Sequence, residues 1–160
     1  MPPKPRSRGR SSSRTPVQKL RAICLALPEA TEKIAWGEPT WRVRGKLFAQ
    51  LDDHHHGADH LAVWLPAPLG EQEAMVFADP ERFFRPPYVG PRGWVGVRLD
   101  RRPDWKQVAS LVEQAYRLVA PPRLLTALDA TAPAQETAPA RRSTRPGARK
   151  TSRAKHRRAR

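Results

Sequence analysis

The chain holds a single cysteine, Cys24, among 160 residues. No intrachain disulfide can form, so the fold has to rest on burial and hydrogen bonding, and a reducing, intracellular setting is the expectation. No apolar run is long enough to span a bilayer, and no hydrophobic segment follows the basic N-terminus, so neither membrane insertion nor export is expected. Bulky apolar residues are missing from both ends. Met1 is the one example before Thr15, and from Asp129 to Arg160 there is no Val, Ile, Leu, Met, Phe, Trp, Tyr or Cys. Such segments cannot bury enough surface to offset chain entropy, so residues 1–15 and 129–160 are expected to be disordered. Residues 16–128 then form the folding unit, large enough for one hydrophobic core.

Acidic residues are also scarce, 15 against 30 Lys and Arg, for a net charge of +15. The imbalance is unevenly placed. The N-terminal arm carries +5 and the C-terminal tail +8, which leaves only +2 on the folding unit. The basic character belongs to two arms flanking a nearly neutral body, and such arms seek polyanions: DNA, RNA or an anionic membrane surface. Residues 129–140 are mostly Ala, Pro and Thr and suit a flexible spacer. The basic block follows, with Arg141, Arg142, Arg145, Arg149 and Lys150, then Arg153, Lys155, Arg157, Arg158 and Arg160. Its composition resembles the nucleic-acid-binding tails of linker histones and actinobacterial nucleoid proteins.

Catalytic signatures are missing too. There is no G-x-S-x-G, no Cys/His pair, no P-loop and no dinucleotide-binding glycine pattern, so no catalytic residue is assigned and the chain reads as a non-enzyme. Glu38, beside Trp36 and Trp41, is the one carboxylate in suggestive company. His54, His55, His56 and His60 with two aspartates hold ligand atoms, but consecutive residues converge poorly on one ion and no helical His-x-x-x-His or Cys-x-x-Cys frame is present. They read as a polar loop, with neither a metal nor a cofactor called for.

Thr15-Pro16-Val17-Gln18 predicts a helix start with a capping box, and Val17, Leu20, Cys24 and Leu27 recur at helical spacing until Pro28. Cys24 on that stripe reads as a buried small hydrophobe. After a polar connector, residues 41–51 predict a hairpin turning near Gly45. A two-residue Arg44-Gly45 loop pairs Val43 with Lys46. Pairing Val43 with Leu47 instead gathers Trp41, Val43, Leu47, Ala49 and Leu51 on one face and is preferred, because a buried face specifies register strongly. Residues 60–65 predict a further strand. Residues 69–78 predict a short helix packing through Ala74, Met75 and Phe77. The longest helix opens at Pro103-Asp104 and keeps Trp105, Val108, Val112, Ala115 and Val119 on one face, with Leu111 and Leu118 widening it, and a last helical turn follows over 123–128.

The densest run of aromatic, Gly, Pro and Arg residues is FFRPPYVGPRGWVGVR at 83–98. Gly90-Pro91-Arg92-Gly93 fits a β-turn with Arg92 at an exposed tip. Beyond it, alternation sends Val95, Val97 and Leu99 to the core and Trp94, Gly96 and Arg98 to the other face. With Tyr88 and Arg92 nearby, that second set predicts a flat cationic surface for a phosphate or a base. Arg42, Arg44 and Lys46 form a second basic tip.

Four motifs in order, Trp36-Gly37-x-Pro39-Thr40-Trp41-x-Val43-x-Gly45-Lys46-x-Phe48, Asp79-Pro80-x-Arg82-Phe83-Phe84, Pro87-Tyr88-Val89-Gly90-x-Arg92-Gly93-Trp94-Val95 and Ala115-Tyr116-x-Leu118-Val119-Ala120-Pro121, resemble the MmcQ/YjbR family of small bacterial proteins over about residues 17–128. The resemblance implies a compact α+β fold whose antiparallel sheet is related to a double-wing DNA-binding arrangement. The histidine loop and both tails lie outside its pattern.

The order of elements independently argues for α+β, an antiparallel sheet with helices on one side. The function expected is nucleic-acid binding, above all to double-stranded DNA, in the cytoplasm at the nucleoid. In that reading the tails supply sequence-independent attraction, and Arg42, Arg44, Lys46, Tyr88, Arg92, Trp94 and Arg98 form a docking surface. The alternative is a peptide-binding module in which the tails serve localisation.

Overall fold

The computed structural model describes residues 13–55 and 57–131. Thr15 starts the first helix through the expected capping box. Its hydroxyl accepts the Gln18 backbone N–H at 3.2 Å, while the Gln18 side chain accepts the Thr15 N–H at 2.9 Å, with Pro16 at the first helical position. Helix α1 (Pro16–Leu25) buries Leu20 and Cys24. Burial, assisted by the charge of Glu32, pushes the Cys24 thiol well above its ordinary range, so it packs as an inert hydrophobe.

Five strands and a two-residue edge piece follow: β1 (Ala30–Ala35), β2 (Glu38–Val43), β3 (Lys46–Asp53), β4 (Leu61–Pro66), β5 (Phe83–Phe84) and β6 (Trp94–Arg98). They form one sheet of order β1-β2-β3-β4-β6-β5, every neighbour antiparallel. Helix α2 (Glu71–Ala78) lies between β4 and β5, and α3 (Trp105–Val119) and α4 (Pro122–Thr131) close the described chain. The α+β architecture is therefore as expected. β1 is an addition, since residues 30–33 read as a polar connector and Ile34-Ala35 beyond them carry no strand alternation. As an edge strand it leaves Thr31, Lys33 and Ile34 exposed, which removes the apolar alternation that marks a strand.

The β2–β3 hairpin uses both candidate registers. Val43 pairs with Lys46 and Arg42 with Leu47 around a two-residue loop, yet Trp41 pairs with Ala49 and Thr40 with Gln50. The irregularity between them inserts Phe48 as an extra residue, a bulge that lets the tight turn and the buried face coexist. Phe48 rather than Leu47 is consequently buried, and its ring meets Tyr116 of α3 edge-on at 5.5 Å. Arg44 and Gly45 both take positive φ, +49° and +78°, as a type I′ turn requires.

The core lies between the sheet and the α1/α3 layer. Trp41, Val43, Leu51, Val63, Leu65, Val95 and Val97 of the strands, with Leu99 just past β6, meet Leu20, Cys24, Val108, Val112, Ala115 and Tyr116. The Tyr116 hydroxyl donates to the Pro28 carbonyl at 2.7 Å and ties α3 to the α1–β1 link. Three packing expectations change. Ala74 and Phe77 of α2 and Leu118 of α3 are exposed, while Met75 packs as expected and Val76 packs too. Gln72 is the buried residue of that helix, its amide donating to the Gly90 carbonyl at 2.7 Å and to that of Trp94.

Candidate nucleic-acid interface

The sheet face turned away from α1 and α3 is built from the alternate residues of the same strands. Thr40 pairs with Gln50, Gln50 with Trp64, Trp64 with Gly96 and Gly96 with Phe84, which makes a transverse row. Thr40, Gln50 and Trp64 are buried although no helix of the core layer lies on them. Around Gln50 and Trp64 opens a cleft of about 350 Å³, lined also by Trp36, Tyr88 and Val89. Gln50 and Trp64 form its floor. Trp36, 71% exposed, and Tyr88, 75% exposed, stand at its rim.

Both rim aromatics occupy left-handed backbone, Trp36 at φ +53° and Tyr88 at φ +63°. Trp36 is the first loop residue of the β1–β2 hairpin, where Ala35 pairs with Glu38 and a type I′ turn favours Asn, Asp or Gly. A bulky residue in this region costs on the order of 1–2 kcal/mol. Left-handed φ recurs at Glu29, Arg44, His54 and Arg102, but only at Trp36 and Tyr88 is it taken by a Trp or Tyr that stands mostly in solvent, and both line one cleft. Such conflicts gather where a side chain is needed for something other than folding.

A groove of about 550 Å³ adjoins this cleft, lined by Gln72, Glu73, Arg85, Gly90 and Arg92 among others. The two depressions share a wall, with Val89 facing the cleft and Gly90 the groove. Arg85 and Arg92 are both exposed. Gly90–Gly93 closes with the expected i to i+3 bond, Gly93 N–H to Gly90 carbonyl at 3.0 Å, and holds Arg92 outward. Arg85 was absent from the expected surface; its place between Phe84 and the Pro86-Pro87 pair signalled only an extended arm.

The expected docking residues are split by the fold. Arg44 and Lys46 sit at the sheet end that also holds Arg92, whereas Arg98 lies towards the opposite end, paired with Ala62. Arg98 grips Asp100 in two hydrogen bonds of 3.1 and 2.7 Å. The Arg98 hydrogen bond is the main cause that holds the Asp100 carboxyl below the usual carboxylate range. Arg44 reaches Glu29 at 2.5 Å, and Glu29 also takes Arg123 at 3.0 Å. Arg44 and Arg123 border a groove of about 560 Å³ shared with Lys46 and the α3–α4 junction, and Glu29 partly neutralises both guanidiniums. Arg42 folds onto its own hairpin, donating to the Gly45 carbonyl at 3.3 Å. Trp94 is half-buried beside Pro66, and Gly96 is not a bare platform, because the Phe84 ring lies where a Cβ would go. Tyr88 and Arg92 remain together. The tail residues from Arg141 to Arg160 lie outside the described residues.

The described histidines pair with separate carboxylates. His54 meets Asp53 at 2.5 Å, His55 meets Glu38 at 2.5 Å and His60 meets Asp52 at 3.2 Å. Among the described residues no group of His, Cys, Asp and Glu is arranged to hold a metal ion, and no helix is long and apolar enough to cross a membrane.

The fold has a solved relative in the crystal structure of Deinococcus radiodurans protein DR2400, which carries the DUF419 domain. The two are 22% identical with a TM-score of 0.58, over 73% of this chain and 92% of that one. No curated protein matches the chain. The YjbR family model matches residues 25–118, from the end of α1 to the last turn of α3, and so spans the whole sheet with both rim aromatics. The chain belongs to the YjbR family.

Proposed function

We propose that this YjbR-family protein binds nucleic acid, that its arms deliver a nearly neutral domain to the polymer, and that it acts as a binding protein of the cytoplasm and nucleoid rather than as an enzyme. The observation that carries the reading is the segregation of charge: of a net +15, the folding unit keeps only +2. Cations placed on arms that, Met1 apart, hold no bulky apolar residue have no core to pack against, and their natural counterpart is a phosphate backbone. Arg85 and Arg92, exposed on the groove beside Tyr88, give the domain a place to hold the strand once it arrives.

The test compares the full chain with a 13–131 chain, which retains the entire core, in fluorescence anisotropy titrations of labelled DNA between about 50 and 200 mM salt. The full chain is expected to bind with an affinity that falls steeply with salt, by a slope of about −0.9 per phosphate contacted. The trimmed chain should bind much more weakly and lose part of that weaker affinity on Arg85→Ala with Arg92→Ala. Absence of binding by the full chain at low salt would overturn the reading and favour a peptide as partner.

A further inference from the structure

We infer that the cleft between Trp36 and Tyr88 receives a single unstacked nucleobase, so that the domain prefers single-stranded over duplex nucleic acid; this rests on the nucleic-acid reading above and names the part of the ligand that the folded domain recognises. At about 350 Å³ the cleft is at the small end of ligand sites, suited to one planar group and too small for a helix or an extended peptide of several residues. Its chemistry is that of a base site. Two exposed rings at the rim offer faces on which a base can stack, and the indole of Trp64 supplies apolar floor. Gln50, 8% exposed, brings a carboxamide that both donates and accepts hydrogen bonds, as the Watson–Crick edge of a base requires.

Charge complementarity selects this occupant over other planar or cationic groups. Among the described residues no carboxylate lines the cleft, so a cation would be held by the ring faces alone, and the adjoining groove carries Arg85 and Arg92, which repel a cation and attract a phosphate, across the Val89–Gly90 wall. A base in the cleft thus leaves its flanking phosphate beside two guanidiniums. The backbone geometry points the same way. Left-handed φ at Trp36 and Tyr88 sets the direction of both largely exposed rings through the backbone, which preorganises a clamp. Bases in a duplex are paired and stacked, so only a single strand presents one without the cost of flipping it.

The chain is itself the reporter, because its five tryptophans all lie between residues 36 and 105 and none is in an arm. Titration of the full chain with an oligothymidylate of about 12 nucleotides should quench tryptophan emission, whereas a duplex of equal length should bind through the arms with little quenching. Anisotropy should show about 10-fold tighter binding of the single strand, the worth of one good stack. Trp36→Asn with Tyr88→Asn, which keeps the left-handed turns, should abolish the preference and leave duplex affinity unchanged, with a thermal melt confirming the fold. Gln50→Leu should retain stacking but narrow the differences among homopolymeric strands. Equal binding of both DNA forms by the wild-type chain, or a preference that survives the double variant, would overturn the cleft assignment while leaving the arm-driven function intact. Binding of neither form would overturn that function itself. Quenching by tetramethylammonium that the oligonucleotide does not displace would assign the cleft to a quaternary ammonium ligand and overturn the base proposal.

Discussion

Trp36 allows the backbone contribution to be separated from the ring. Trp36→Ala and Trp36→Asn both remove the same ring from a residue that is 71% exposed, so the lost contacts cancel when the two variants are compared. They differ in tolerance of φ +53°. An alanine there pays the steric penalty of Cβ against its own carbonyl, about 1–2 kcal/mol, while asparagine is among the residues enriched in this region. Trp36→Asn should therefore be the more stable by about 1 kcal/mol, or ~4 °C in melting temperature for a domain of this size. Circular-dichroism melts of the two variants and the wild type, in one buffer, make the comparison. The same order is expected at Tyr88, with φ +63°. Alanine equal to or better than asparagine at both positions would refute the claim that the turns are strained, and with it the argument that the rings are kept for binding.

Three further outcomes follow from the packing. Gly96→Ala places a methyl in the Phe84 ring and should cost about 1–3 kcal/mol, part of which Phe84→Leu in the same chain recovers; a silent Gly96→Ala would show that the ring does not cover the strand. Arg98→Ala should leave nucleic-acid affinity within about twofold at fixed salt, because its guanidinium is engaged by Asp100; a larger loss would restore Arg98 to the interface. Glu32 is held below the usual carboxylate range, first by its Arg21 hydrogen bond, and also accepts from Trp41 Nε1 at 3.1 Å. Its stabilisation is full above the ordinary value of about 4.3 and fades as pH falls through the lower folded value, so Glu32→Gln should cost about 1 kcal/mol at neutral pH and flatten the acid side of the melting curve; parallel curves for variant and wild type would contradict this.

Elements with strong local chemistry were legible in the sequence, and elements decided by distant contacts were not. The Thr15–Gln18 box, the alternation of Val95, Val97 and Leu99 and the face of α3 follow from short-range rules, and each has its expected role. β1 was hidden because an edge strand is specified by its neighbour's backbone rather than by its own apolar pattern. The β2–β3 register was hidden for a different reason: turn geometry and face burial demanded different pairings, and the Phe48 bulge satisfies both. Part of the site was visible, since Tyr88 and Arg92 stand together. Trp36 was seen only as a motif residue. Its partnership with Tyr88 spans the sheet, and its signal, a Trp in the position before Gly37 where a hairpin wants Asn or Asp, is readable once a two-residue loop is recognised there.

The two parts of the proposed mechanism respond differently to salt, which makes their division of labour measurable. Attraction by the arms arises from counterion release and weakens with salt for any nucleic acid, with a slope near −0.9 per phosphate on duplex and about −0.7 on single strands. Stacking of a base between Trp36 and Tyr88 releases no counterion. On one and the same single strand the wild type and the Trp36→Asn/Tyr88→Asn chain share the arm-driven slope, so the wild type's roughly 10-fold advantage should persist from about 50 to 200 mM salt even while both affinities fall. An advantage absent at low salt, or lost as salt rises over that range, would mean that the arms alone bind the strand, and that the aromatic cleft of the domain is a bystander.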